Sequence, residues 1–251
     1  DLVSSLPQSW NELSNLAHQN KVLWPLKPVH AISSFYSIYN NITDEFNPKD
    51  KNFINKEFGI KTLEMMKHIT EHLISDCFIM DPIKTAEILS TTDDFYYSPY
   101  TYGFSNYSRE NFRENILTYG NVMDLSNKGP NGTHLGGTGI AISNKSHHKD
   151  LALEYSYWIA GADCQKSIFY KSGGQPGNSI AWENQQINDE CNGFFANTRL
   201  TLNQAWIRPR HNGYMKFQDE SGEIINEYLQ SNTNEDIIID KLKIMYAESF
   251  E

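Results

Sequence analysis

Apolar residues along this chain recur mostly at helical spacing, broken by short apolar runs between turn residues. Residues 8–19 read as a short helix capped by Ser9. Residues 29–40 and 54–75 read as longer helices, the second carrying Phe58, Leu63, Met66, Ile69 and Leu73 near a 3.6-residue period. The same pattern predicts helices at 82–90, 178–186, 192–204, 219–230 and 234–249, and Asn47-Pro-Lys-Asp-Lys-Asn52 reads as a loop. Runs at 21–26, ended by Pro25 and Pro28, at 95–97 and around 115–119 read as strands. Short strands alternating with helices predict an α/β fold, and neither an internal repeat nor a low-complexity segment interrupts it.

The richest stretch runs from Gly136 to Asn178. Gly136, Gly137 and Gly139 permit close backbone approaches, Ile140-Ala-Ile142 is a short buried-strand pattern, and Ser143 or Ser146 is placed to cap a helix over 148–160. That helix carries Leu151, Leu153, Tyr155, Trp158 and Ile159 largely on one expected face, and Gly173-Gly-Gln-Pro-Gly177 then stops the helical region. Glycine-rich crossings at both ends describe a chain that enters a lobe and returns from it. The same features also suit an ordinary strand, turn and helix of an α/β domain.

Chemistry is thin. No nucleophile elbow, phosphate loop or His-Glu-x-x-His pair is present. His147 and His148 are adjacent, so on a helix they point apart and suit a surface turn better than a shared metal. With 31 acids against 21 bases, the net charge of −10 argues against nucleic acid as a partner. A mean hydropathy of −0.56, with no apolar run long enough to span a bilayer, excludes a transmembrane segment. Aromatics make up 13% of the chain, and the loop Tyr97, Tyr100, Tyr102 and Phe104 around Pro99 and Gly103 is hard to bury whole. Ring faces there suit the C–H surface of a sugar; a packed loop is the alternative.

Four segments in order carry a resemblance that runs nearly the whole length. They are Pro7-Gln-Ser-Trp-Asn-Glu-Leu13, the strand and helix from Gly136 to 160, Gly173-Gly-Gln-Pro-Gly177, and Ala205-Trp-Ile-Arg-Pro-Arg-His211 with Tyr214 and Phe217. Together they resemble extracellular solute-binding proteins of carbohydrate-type ABC importers (family 1, maltose-binding-protein-like). The resemblance implies a type II periplasmic-binding-protein architecture of which the chain is the carboxy-terminal two-thirds, with most of the first lobe absent. It implies residues 1–134 and 174–251 in the carboxy-terminal lobe and 135–173 as a contribution to the amino-terminal lobe. By the same resemblance the chain is a non-enzymatic component that captures a small polar ligand, expected to be a carbohydrate, in an interlobe cleft and delivers it to a membrane permease. The implied location is extracellular or periplasmic, with a lipid anchor or signal peptide supplied by an upstream segment. Trp24, Tyr100, Tyr102, Gly137, Thr138, Gln175, Trp182 and Arg208 form the implied ligand shell, without metal or cofactor. For Arg208 an ion pair with one of the many acids is the competing reading. Cys164 and Cys191 flank the 173–177 turn and are disulfide candidates in an oxidising compartment, with inert buried thiols as the alternative. A secreted carbohydrate-active enzyme and a sensor or adaptor on the same scaffold are the competing functions.

Overall fold

The computed structural model describes residues 6–43, 47, 49–52 and 54–251. The loop over 47–52 is therefore visible, except for Pro48, which lies outside the described residues, whereas of the strand expected over 21–26 only Val22 enters a β-bridge. In chain order the helices are α1 (Trp10–His18), α2 (Pro28–Ile42), α3 (Lys56–Thr70), α4 (Pro82–Thr91), α5 (Lys149–Ala160), α6 (Ala162–Cys164, continued by a π-turn at Gln165–Phe169), α7 (Ser179–Trp182), α8 (Gln185–Glu190), α9 (Phe194–Asn203), α10 (Tyr214–Leu229) and α11 (Glu235–Glu248). Their starts follow side-chain chemistry. Ser9 accepts from the Glu12 amide, Asn55 from Glu57 and Phe58, Asp81 from Lys84 and Asn234 from Asp236, while Pro28 and Pro82 open α2 and α4.

The chain divides into two compact units. One runs through Tyr102 and includes Asn121–Leu135 and Leu200–Glu251; the other comprises Gly103–Gly120 and Gly136–Arg199.

The first unit is built on α2, ten of whose fifteen residues are buried. α10 packs along it, α11 covers α3 and α10, and the core joins Trp24, Phe35, Tyr36, Tyr39, Met66, Phe217, Ile225 and Tyr246. The α2–α10 approach is close enough that a Cβ on Gly222 would stand 2.5 Å from the Pro28 carbonyl oxygen. Strand structure is slight. Val22 pairs with Tyr97 and His134 with Trp206 as isolated parallel bridges, and these are the β-pairings among the described residues.

In the second unit Tyr170, Ala181, Ile187, Cys191, Phe194 and Phe195 form a small core. Gln165 ties the unit together, its amide donating to the Ile159 carbonyl at 2.7 Å and its oxygen accepting from the Gly177 N–H at 2.8 Å. Several expectations differ here. The helix expected over 178–186 is two, because the Asn184 side chain accepts from the Ile187 amide and caps a fresh start at Gln185. No strand forms around 115–119 or at 140–142 among the described residues. Helix α5 starts behind His148 with no side-chain cap; Ser143 and Ser146 instead turn the preceding loop through the Lys145 and His148 amides.

Cys77, Cys164 and Cys191 are all buried free thiols, so the Cys164–Cys191 bridge expected for an oxidising compartment is not formed here. The Cys191 Sγ donates to the Ile187 carbonyl at 2.9 Å, and burial raises its pKa above the ordinary thiol value.

Candidate functional site

A polar cluster in the first unit gathers around Arg208. Its scaffold begins with Asn40 and Asn41 near the end of α2. The Asn41 amide donates to the Asn131 carbonyl at 3.0 Å, its oxygen accepts from the Leu125 N–H at 2.6 Å, and Asn40 reaches the Gly132 carbonyl. Gly132 has φ +86 and lies so close that a Cβ would meet the Asn41 backbone nitrogen at 2.7 Å, so glycine is required. The same Gly132 carbonyl accepts from the Trp206 indole at 3.0 Å. These clamps deliver His134 beside Trp206, ring centres 4.4 Å apart.

Asp124 closes this loop by accepting the Ser126, Lys128 and Gly129 amides at 3.1, 3.0 and 2.7 Å. Burial pushes its pKa up, but the backbone donors led by Gly129 outweigh that and hold it below the ordinary value. A depressed carboxylate contributes stability that is complete above its unfolded-state pKa and is lost as pH falls through the folded value. The loop is therefore expected to loosen below about pH 4, seen as faster exchange of the Gly129 amide; an Asp124→Asn variant should show that rate already at neutral pH. Equal rates in both proteins at all pH values would refute the role.

His134 is 7% exposed. Its Nδ1 lies 3.1 Å from the Ser33 Oγ, which donates its own proton to the Val29 carbonyl at 2.7 Å. The imidazole is therefore the donor through Nδ1–H, which leaves Nε2 as an acceptor. That Nε2 is buried with no hydrogen-bond partner among the described residues. Burial, and then the Arg208 charge, bring the His134 pKa down to about 3, so the ring is neutral at physiological pH. Tyr102 hydrogen-bonds Ser33; burial raises its pKa, with Arg208 opposing. Tyr214, 1% exposed, also feels Arg208, and its buried hydroxyl has no partner among the described residues. Arg208 donates through Nη1 to the buried Gln218 side-chain oxygen at 2.9 Å, an amide rather than the carboxylate of the competing reading. His30 meets Tyr102 edge-on at 6.2 Å. The cluster combines a cation, aromatic hydroxyls and a neutral imidazole acceptor, donor and acceptor chemistry suited to a polyhydroxylated molecule.

The eight expected shell residues fall into separate places. Tyr102 and Arg208 belong to this cluster. Trp24 and Tyr100 are in the core of the same unit, stacked at 5.8 Å; Trp24 has no exposed surface and donates its indole N–H to Ser34 at 3.0 Å. In the second unit Gly137 and Thr138 are exposed, and nothing lies within 4 Å of a Cβ on Gly137. Gln175 bridges to the Ser105 amide at 2.7 Å and the Gly103 carbonyl at 3.2 Å. Trp182 is half-buried against Phe195, donates to the Pro176 carbonyl and lines an open groove of about 660 Å³ with Asn188, Asp189, Asn192 and Arg199. A second groove of about 550 Å³ is lined by Arg109, Tyr170, Lys171, Gln186 and Glu190. Ser33, His134, Tyr214 and Gln218 were not sequence candidates for the shell. The Ser33–His134 contact joins positions 101 apart, for which no local pattern exists.

No family model matches the sequence, and no curated protein sequence does. Solved structures match it closely in fold. A maltose-bound MalE3 of T. maritima aligns with a TM-score of 0.75 at 14% identity, over 97% of this chain and 66% of its own. A ribitol-bound ABC transporter solute-binding protein of Agrobacterium radiobacter K84 aligns at 0.74 and 15% identity, over 97% and 65%. An oligosaccharide periplasmic-binding protein, as described, from Synechococcus sp. MITs9220 aligns at 0.64 and 11% identity, over 97% and 66%. The fold is thus that of periplasmic solute-binding proteins, and the chain spans just under two-thirds of the length of these structures. Among the described residues no helix is long and apolar enough to cross a membrane.

Proposed function

We propose that this chain is the greater part of a solute-binding component of an ABC importer, working outside the cytoplasmic membrane without catalysis, capturing a sugar or polyol and passing it to a permease. The observation that carries the reading is the fold shared over 97% of the chain with proteins whose structures hold maltose and ribitol. The Arg208 cluster supports it, because planar guanidinium donors, the Tyr102 hydroxyl and the His134 acceptor match alternating hydroxyls of such a ligand. The lobe assignment of 1–134, 135–173 and 174–251 and the α/β architecture belong to the same proposal, as do ligand roles for Gly137, Thr138, Gln175 and Trp182.

Isothermal calorimetry with maltose, ribitol and a panel of mono- and oligosaccharides tests the reading. Tyr102→Ala or Trp182→Ala is expected to weaken binding by roughly 1–3 kcal/mol, the scale of one large aromatic face removed. Thermal melts run alongside separate lost ligand contact from lost packing. Absence of binding to every sugar and polyol by a complete solute-binding protein containing this chain would refute the assignment and leave the fold intact.

A further inference from the structure

Arg208 is the cation of the polar cluster in the first unit, and its hydrogen-bond partner is neutral. Its Nη1 donates to the Gln218 side-chain oxygen at 2.9 Å, and none of the ion pairs among the described residues includes it. A guanidinium carries five N–H donors in a planar fork, and a carboxylate accepts two of them side by side. In a chain with 31 acids against 21 bases, an arginine held on an amide leaves most of that fork for another acceptor. Arg208 and Tyr102 are half-buried, so the cluster reaches the surface through them.

Around this cation the fold places hydroxyls and an imidazole. Tyr214 and Gln218 stand one turn apart on α10, so the side chain that anchors Arg208 also sets it near the Tyr214 ring. Burial raises the pKa of both Tyr214 and Tyr102, and the Arg208 charge opposes it at each, which puts the guanidinium close to both hydroxyls. The Tyr214 hydroxyl and the His134 Nε2 are buried with no hydrogen-bond partner among the described residues, a costly state for a donor and an acceptor unless a ligand completes them. Asp81, whose charge acts on His30 at the edge of the cluster, is committed to capping α4 through the Lys84 amide at 2.9 Å. Hydroxyls of a neutral sugar satisfy the imidazole but leave the guanidinium without a counter-charge. One carboxylate beside a hydroxyl satisfies both.

We infer that the solute is acidic: a sugar acid whose carboxylate is held by Arg208 and the Tyr214 hydroxyl, and whose neighbouring hydroxyl donates to the His134 Nε2. The inference rests on the sugar-or-polyol reading and narrows it to monocarboxylated members, the uronates and aldonates.

Calorimetry on the complete protein containing this chain tests it with matched pairs, glucuronate against glucose and gluconate against glucitol. Each acid is expected to bind at least about tenfold tighter than its neutral partner, the scale of a hydrogen bond to a charged group. Added salt should narrow that gap by screening the charge. In Arg208→Gln the gap is expected to close to within about twofold, because the charge is gone while an amide donor remains. Tyr214→Phe removes the hydroxyl and keeps the ring, so acid binding should weaken about fivefold while the melting temperature holds or rises. Equal affinity for acids and neutral partners overturns the inference and leaves the importer reading standing. Acid binding that neither variant changes also overturns it, as does tighter binding of glucose 6-phosphate than of glucuronate, which would make phosphate the recognised group. Lactate bound as tightly as glucuronate, with no neutral sugar bound, rejects the sugar reading and the sugar acid with it, leaving a plain carboxylate site.

Discussion

Replacing Trp24 with alanine is expected to cost about 3–5 kcal/mol of folding stability, the range for emptying a fully buried aromatic position. Trp24 has no exposed surface, stacks on Tyr100 at 5.8 Å, meets Trp10 edge-on at 6.3 Å and donates to Ser34 at 3.0 Å. Truncation therefore removes the packed ring and leaves the buried Ser34 hydroxyl without its donor, two losses that add in the same direction. Urea denaturation with matched slopes for wild type and variant measures it. A cost under about 1 kcal/mol accompanied by a large loss of sugar affinity would return Trp24 to the ligand shell that its sequence position suggests.

That ambiguity shows where the sequence was readable. Helix starts were legible because their signals are local: Ser9, Asn55, Asp81 and Asn234 each cap an amide two or three residues on. The start of α10 was placed too late, since Tyr214 and Phe217 continue its buried face upstream of the polar run at 219. An aromatic at the end of an apolar run, such as Trp24, gives the same local pattern whether it packs inward or faces a ligand.

Strands and the Arg208 cluster were harder for a different reason. A strand is a property of two segments, and the apolar Ile140-Ala-Ile142 run reads as one although no described residue pairs with it. The cluster likewise depends on long-range placement: Asn40 and Asn41 on α2 position a loop some ninety residues later. Arg208 and Tyr102 were visible as a cation and an aromatic in promising segments. Their common neighbours Ser33 and His134 were not, because nothing in the sequence beside a serine or histidine announces the partner it will meet.

Acid is expected to destabilise the protein through His134 well before the carboxylates titrate. Burial, reinforced by Arg208, brings the folded-state pKa down to about 3 from the ordinary histidine value of 6.5. In that window the unfolded chain holds a proton that the folded chain refuses, so stability rises with pH. The contribution is complete above the unfolded pKa and is lost as pH falls towards the folded value. At 1.36 kcal/mol per pKa unit the loss amounts to about 2 kcal/mol at pH 5 and roughly 3–5 kcal/mol near pH 3. His30 is also depressed, chiefly by burial, and adds with the same sign. His134→Asn keeps an N–H donor for Ser33 but cannot titrate, so its stability between pH 7 and 5 should fall less steeply than that of wild type. Parallel slopes for the two proteins would place the buried proton elsewhere. Because His134 stays neutral in the native protein, any hydrogen bond that its Nε2 accepts from a ligand hydroxyl should hold from pH 8 to 5. Sugar affinity is accordingly expected to be flat over a range in which folding stability already declines, and a parallel fall of both would mean that the imidazole charges in the native state.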